Sequence, residues 1–566
     1  MYENKLVSVP VYVAAGVAML AYLIIQVRWI FLYHHGLIDI DEAGYLLAAF
    51  REYHAFRESG FRAWISTIFW PSPVSPMAPA VASLIFVVFG PEPVYGFLVP
   101  VMFGAIAVIA TYLLGKQVAG RSVGLASAAL LATTPLILMF SRSFHFSIPA
   151  TAITTLALLS LFKSKRAQHW GWVIALGVFV GLMPLARSMA LAFIPCVGAA
   201  AVAYVAFEPD RWVRIGRLAV AGVVAVLTSL IWLWKSGPFV WWYLFEFGYG
   251  SRAVEYGSKI TWLGRLQERI DRTADEIYLP HALIIGVGLV AGIVLLVQAV
   301  SARRIAPTLR SPVTPLVVFS LLCIMMLSST QNEGSAFLAP VLPAVYVAAA
   351  AMLYGVAGRA SGWLNLAVAA IALVAFLPFA DLRWSLAAHH EIDTPWRSFV
   401  VSDGSGTQER YEAAYGINTA KPGRLLPADQ VEAWKLLNTR TAERLGEMPA
   451  AMGFRSVVYN VNTIRLAKYL GSWADLEMMQ IEPLAIGDGL DQYKAWLLPG
   501  GQAARACTLL TAAGDQAEFP PLVNTSLLEQ AAKAIGFARV DEWSMPNGRV
   551  VRMWARPCPS LKSARP

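Results

Sequence analysis

Residues 10–33 read PVYVAAGVAMLAYLIIQVRWIFLY, and residues 37–50 read LIDIDEAGYLLAAF. The first stretch is almost wholly apolar and long enough to cross a bilayer, which takes about 20 residues. The second opens with Asp39, Asp41 and Glu42 within four positions and continues with apolar residues at helical spacing. A span that delivers three carboxylates to its mouth decides the fold class, and the rest of the chain repeats the first half of the pattern. Further apolar runs centre on residues 95–115, 122–140, 147–162, 170–186, 189–207, 216–234, 280–300, 312–328, 336–356 and 362–380. A shorter run at 76–89 suits an interfacial or re-entrant helix better than a span.

Composition agrees. Of 566 residues, 57% are hydrophobic and only 14% charged, against about 25% charged in an ordinary soluble domain. A purely soluble enzyme and a disordered scaffold are excluded. The net charge of +9 does not imply a nucleic-acid partner, because the cations fall in short gaps between apolar runs. These gaps hold Lys116 and Arg121; Lys163, Lys165 and Arg166; Arg211, Arg214 and Arg217; Arg303, Arg304 and Arg310; and Arg359. With eleven spans all of them fall on one side, which the positive-inside rule makes cytoplasmic. The expectation is a multi-pass protein of the plasma or inner membrane, with its N-terminus cytoplasmic and its C-terminus outside. The first span has no small-residue cleavage site after it and reads as a retained anchor.

Three long segments then face outside. In 34–94, Leu46, Leu47, Phe50 and Tyr53 form one stripe of a helix at 42–58, with Arg51, Glu52, Arg57 and Glu58 on other faces. This reads as a helix on the membrane surface, followed by PSPVSPMAP (71–79). The segment 236–279 is dense in aromatics, including Trp241, Trp242, Tyr249 and Tyr256. It reads either as an interface belt or as a wall for a sugar or lipid chain, with Arg252, Lys259 and Arg265 near an anionic head group. After Asp381 the composition turns soluble. Strand-like runs at SVVYNV (456–461), YKAWL (493–497) and CTLLT (507–511), a helix-like stretch at 527–535 and a hairpin signal, PNGR (546–549), predict an α/β domain over 382–566. The pair Gly404–Gly406 lacks the rest of a nucleotide-binding fingerprint. Cys196 and Cys323 lie in spans as small fillers. Cys507 and Cys558 fall in the outer domain, where an oxidising compartment permits a disulfide.

For Asp39, Asp41 and Glu42 two readings stay open. Acids suit a helix N-terminus, and capping accounts for one or two of them. They are also well placed for chemistry at the mouth of a membrane bundle.

An Asp-Glu pair opening the first outer loop with a tyrosine three residues later, here Asp41, Glu42 and Tyr45, resembles the GT-C glycosyltransferases. The resemblance is to the branch of protein mannosyltransferases and aminoarabinose transferases. PSPVSPMAP, FSRSFHFSIP (140–149), GLMPLARSMALAFIP (181–195) and STQNEGSAFLAPVLPA (329–344) follow in the family's order. The resemblance covers residues 10–380 and implies a GT-C membrane domain over 1–381. It implies transfer of a sugar from a polyprenyl-phosphate donor to a hydroxyl of a glycan, lipid or protein on the extracytoplasmic face. Asp41 would then be the base, with Glu42 or Asp39 orienting the acceptor. Arg187 and Arg142 would meet the donor phosphate, and Tyr45, His145, Trp241, Trp242, Tyr249, Arg252 and Asn332 would line the substrates. Arg187 reads equally as a snorkelling arginine. Many relatives carry an acid before the proline of the second loop, where this chain has Ile148. Asp39-Ile40-Asp41 are the residues that would hold a divalent metal, if one is used. The competing class is a lipid or glycan transporter or flippase, which calls for charges at the bilayer midplane or broken helices in paired halves. The spans are nearly free of acids.

Overall fold

The computed structural model describes residues 5–33, 38–255, 260–277, 279–332, 334, 336–358, 361–380, 390–393, 398–401, 428–456, 458–512 and 523–558. Tyr256, Lys259 and the Gly404–Gly406 pair lie outside the described residues.

The first span is helix α1 (Lys5–Tyr33). Helix α2 (Ile40–Ile68) follows, longer than the 42–58 expected, and bends at Gly60, where φ is 77°. Its apolar stripe is buried against the protein itself and not turned to a membrane surface as expected, with Phe50 stacked on Phe86 at 4.6 Å. Glu52 departs from expectation. It is buried, because α3 (Met77–Phe89) covers a second face of α2. Trp64 Nε1 donates to Ser83 Oγ at 2.9 Å across that junction, and burial pushes the Glu52 carboxyl well above its ordinary range.

The short α4 (Pro93–Gly96) leads to α5 (Leu98–Ala119). The run at 122–140 is not one helix but two, α6 (Arg121–Ala132) and α7 (Pro135–Phe140). Pro135 has no N–H to continue the ladder, and the Thr133 and Thr134 hydroxyls donate back to the carbonyls of Ala129 and Leu130 at 2.7 Å. Helices α8 (Ser147–Lys163) and α9 (Trp170–Ala186) come next. The run at 189–207 begins with a 3-10 turn (Ser188–Phe193) before α10 (Ile194–Val205).

Helix α11 (Arg211–Gly248) has 38 residues and passes through Pro238. At 1.5 Å per residue it is roughly 57 Å long, far beyond the hydrocarbon core. The first part of the expected 236–279 loop is therefore the C-terminal end of this helix. Gly177 and Gly181 let α9 and α11 touch, since a Cβ at either would sit 2.5 Å from a carbonyl oxygen of Ala221 or Ala225. Beside this contact α9, α10 and α11 enclose an apolar groove of about 570 Å³, lined by Leu176, Val180, Val197, Ala225, Leu191 and Leu233 among others.

The bundle continues with α12 (Trp262–Ile277), α13 (Leu279–Ser301), α14 (Ile305–Leu309), α15 (Val313–Ser329), α16 (Leu342–Ala357) and α17 (Ser361–Ala380). Among the described residues four helical stretches are both long and apolar enough to cross a membrane: Pro93–Ala119, Ser188–Val205, Arg211–Gly248 and Pro280–Ser301. Eight shorter apolar helices accompany them. The protein is a multi-pass membrane protein.

The tail begins with the hairpin β1 (His390–Asp393) and β2 (Ser398–Val401). A five-stranded sheet follows, in the order β4-β3-β5-β7-β6. Its strands are β3 (Ala450–Met452), β4 (Met478–Gln480), β5 (Thr508–Ala512), β6 (Ala538–Ser544) and β7 (Val550–Ala555). The first three are parallel, and β7 is antiparallel to both neighbours. Its helices are α18 (Ala428–Leu445), α19 (Val461–Ser472), α20 (Pro483–Ile486), α21 (Leu490–Leu497) and α22 (Thr525–Ala534). The expected strand at CTLLT, the helix at 527–535 and the PNGR hairpin are all present, with Gly548 at φ 82°.

Two strand assignments fail. SVVYNV leads into α19, because Asn460 caps that helix by accepting from the Asn462 and Thr463 N–H groups. YKAWL lies in α21, with Tyr493, Trp496 and Leu497 buried at helical rather than alternating spacing. Cys507 and Cys558 form a disulfide with Cα atoms 4.9 Å apart, while Cys196 and Cys323 are free and buried.

Candidate active site

The three acids of the first outer turn separate into three environments. Asp39 is the N-cap of α2, and its Oδ1 accepts from the Glu42 N–H at 2.7 Å. Glu42 completes the capping box, accepting from the Asp39 N–H at 3.2 Å. Its other oxygen accepts from the Phe144 N–H at 3.0 Å, tying α2 to the loop at 141–146. Glu42 is only 2% exposed. Burial, reinforced by the charge of Asp39, pushes its carboxyl up to about 8. Its two hydrogen bonds make it a structural tie between α2 and the 141–146 loop. Asp41 alone of the three is exposed. Capping therefore accounts for Asp39 and Glu42, and Asp41 sits in the first turn of α2 outside that capping box.

Tyr45, one turn beyond Asp41, is half-buried with its ring 3.8 Å from Phe146 and edge-on to His145 at 6.0 Å. Arg187 ends α9 in extended backbone. It is 8% exposed, so it turns into the protein and does not snorkel to the head groups. One of its terminal nitrogens donates to Ser147 Oγ at 2.8 Å and to the Ala336 carbonyl at 3.1 Å. The guanidinium lies over Phe337 at 4.7 Å. Ser147 Oγ in turn meets His145 Nδ1 at 2.8 Å, and the Ser147 N–H donates to the same nitrogen at 3.3 Å. Nδ1 is thus an acceptor, which places the imidazole proton on Nε2. Burial, aided by Arg187, pushes His145 down to about 3, so it is neutral.

The charges of Asp41 and Arg187 both reach Tyr45 and also Tyr243 of α11. The first turn of α2, the 141–147 loop, the end of α9 and the 336–337 turn are thus neighbours, with Tyr243 within reach of the same charges. Sequence reasoning missed Ser147 and Tyr243 as members. Helical spacing within 241–249 carries the signal for Tyr243. Trp241, Trp242, Phe245 and Tyr249 make the exposed stripe, whereas Tyr243 packs on Phe247 at 4.6 Å on the other side.

The remaining expected residues sit elsewhere. Arg142 turns to α1, donating from Nε to Gln26 Oε1 at 2.5 Å and lying over Trp29 at 5.0 Å. Trp241 is 65% exposed on the outward face of α11. The Tyr249 hydroxyl bonds Ser329 at 2.8 Å. Arg252 pairs with Glu482 of the tail domain and lies over Trp242 at 5.2 Å. Asn332 is buried, its carbonyl accepting from Arg269 at 2.9 Å and its side chain from the Gly334 N–H at 2.8 Å. Arg265 and Arg269 also donate to the carbonyls of Ser328 and Leu327, capping α15 from outside. Among the described residues no three His, Cys, Asp or Glu side chains are grouped to hold a metal ion. Asp39 commits one carboxylate oxygen to the cap.

Residues 72–234 match the dolichyl-phosphate-mannose-protein mannosyltransferase family. No curated protein matches the chain in sequence. Two crystal structures of ArnT from Cupriavidus metallidurans resemble it in fold. The apo form has a TM-score of 0.55 at 14% identity, covering 96% of this chain and 97% of that one. The form bound to undecaprenyl phosphate has a TM-score of 0.56 at 15% identity, covering 96% and 98%. The archaeal oligosaccharyltransferase AglB from Archaeoglobus fulgidus, in complex with an inhibitory peptide and a dolichol-phosphate, has a TM-score of 0.52 at 12% identity, covering 97% and 75%. The chain thus shares the GT-C fold along nearly its whole length, tail included.

Proposed function

We propose that the protein is a membrane glycosyltransferase that moves a sugar from a polyprenyl-phosphate donor to a hydroxyl acceptor on the extracytoplasmic face. The observation that carries this reading is that an exposed carboxylate, Asp41, and an inward-turned guanidinium, Arg187, both act on the same two tyrosines, Tyr45 and Tyr243. The groove between α9, α10 and α11 supports it. By helix rise its wall from Ile215 to Leu233 runs roughly 27 Å, about one hydrocarbon thickness. A single isoprenoid chain suits a groove of that length lined by side chains without charge.

The chemistry follows from the groups present. The acceptor hydroxyl attacks the anomeric carbon as Asp41 takes its proton. The bond from that carbon to the phosphate oxygen breaks, and the lipid phosphate leaves with the electron pair. Arg187, fixed by Ser147 and the Ala336 carbonyl before substrate arrives, stabilises the charge that develops on the leaving oxygen. Direct displacement inverts the anomeric centre. His145 is neutral and holds Ser147 against Arg187.

The same reading places eleven spans in the membrane, the N-terminus in the cytoplasm and residues 382–566 outside, in accord with the basic gaps. The test uses purified protein in proteoliposomes with a radiolabelled polyprenyl-phosphate sugar and a panel of hydroxyl acceptors. Free polyprenyl phosphate should appear in step with glycosylated acceptor. Movement of intact donor across the bilayer without cleavage would instead make the protein a flippase. Protease added to intact spheroplasts should cut after residue 381, and protection there would overturn the sidedness.

A further inference from the structure

The tail domain touches the candidate active turn directly. Asn462 Nδ2, in the first turn of α19, donates to the Ile40 carbonyl at 2.8 Å. Ile40 immediately precedes Asp41. One turn further along α2 stands Gly44, where a Cβ would lie 3.1 Å from the same Nδ2. A side chain at 44 would crowd the amide that reaches residue 40.

The contact continues down one face of α2, since positions 40, 44, 51 and 54 follow helical spacing. Arg51 pairs with Asp475, which Arg465 also holds at 3.1 Å. His54 stacks on Trp473 at 5.1 Å. Beneath these polar contacts Leu466 and Tyr469 of α19 belong to the same apolar core as Leu46, Leu47 and Phe50 of α2. Asn462 is itself fixed. Its N–H donates to Asn460 Oδ1 at 2.9 Å, and Asn460 is fully buried with its amide on the Ser456 carbonyl at 3.0 Å.

We infer that Asn462 is a positioning residue for the transfer reaction: it fixes the first turn of α2 and thereby aims Asp41 at the acceptor. The inference rests on the proposed glycosyltransferase reading and gives the tail domain a part in the chemistry. The bond runs from an amide donor to a backbone acceptor, so it asks for Asn and not Asp. A carboxylate of the same shape would fill the space while setting one oxygen against another. Shape and hydrogen bonding can therefore be separated.

The experiment takes the full-length protein in nanodiscs as wild type, Asn462→Asp, Asn462→Ala, Gly44→Ala and the double variant Gly44→Ala/Asn462→Ala. Both Asn462 variants should lose about 10- to 100-fold in kcat, the scale of a misaimed catalytic group. The KM for donor should stay within about twofold. Gly44→Ala should also lower kcat. The double variant should be no worse than Asn462→Ala, because the crowded amide is gone. Hydrogen exchange of the peptide spanning 38–45 should speed up in both Asn462 variants, a readout that needs no turnover. Wild-type kcat in the Asn462 variants, or multiplicative losses in the double variant, would overturn the inference. So would unchanged exchange. If wild type cleaves no lipid-linked sugar the functional reading fails, and the exchange result still decides whether Asn462 holds the turn. If Asn462→Asp does not fold, Asn462→Ala and Gly44→Ala carry the same comparison.

Discussion

The α1–α2 junction and the C-terminal end of α11 carry equally conspicuous sequences, one rich in acids and the other in aromatics. In the structure they have different fates. Around residues 39–45 the acids divide into a cap, a buried tie and one exposed carboxylate whose charge, like that of Arg187, reaches Tyr45. Around residues 241–249 the most prominent side chains, Trp241, Trp242 and Tyr249, point outward. The difference is physical. A carboxylate at the mouth of an apolar bundle must find a partner, a helix end or a task. An aromatic at the same depth is already satisfied by the interface, with its ring in the apolar layer and its polar edge in water.

That contrast can be broken by substitution. Asp41→Asn keeps helix propensity and removes the base, and transfer should fall about 10²–10⁴-fold. Arg187→Ala should cost about 10²–10³-fold in kcat, as loss of a preorganised charge at the leaving group does. Arg187→Lys should recover only part, because an ammonium lacks the planar guanidinium face that lies over Phe337 and the further N–H groups left to meet a phosphate.

Glu42 sharpens the comparison through pH. Its folded value near 8 lies above the ordinary 4.5, so the native state holds its proton more tightly than the unfolded chain. That contribution to stability is complete below about pH 4.5 and is lost as pH rises through about 8. Melting temperature should fall between about pH 6 and about pH 9 in wild type, and this slope should flatten in Glu42→Gln. Gln still suits a capping box. An unchanged slope would mean that Glu42 is not the group responsible. At the small end, Trp241→Ala should change transfer by less than about twofold, as exposed positions do. A larger loss would bring the aromatic stripe back into the site.

The sequence made the bundle legible because a bilayer demands long apolar runs, and the motif order pointed to its fold. It hid the break at Thr133–Pro135 and the continuation of α11 past Pro238, since apolar composition is the same on both sides of a kink. The tail strands β3 and β4 have three residues each, too few to show alternation. In the site, Asp41, Tyr45 and Arg187 were readable because each is a polar residue in an apolar context. Ser147 and Tyr243 were hidden by the ordinariness of serine and tyrosine. Asn462 lies 422 residues from its partner, and no local pattern records such a contact.

The central claim is that Asp41 acts on the acceptor and does not merely end a helix. It is tested most directly by measuring donor binding and sugar transfer side by side in Asp41→Asn, with Asp39→Asn as the capping control. The account predicts that Asp41→Asn inserts normally and binds the polyprenyl-phosphate sugar within about threefold of wild type, a small change in free energy. Its transfer should be nearly abolished, while Asp39→Asn, which can still cap, keeps most of its rate. Transfer by Asp41→Asn at close to the wild-type rate would contradict it.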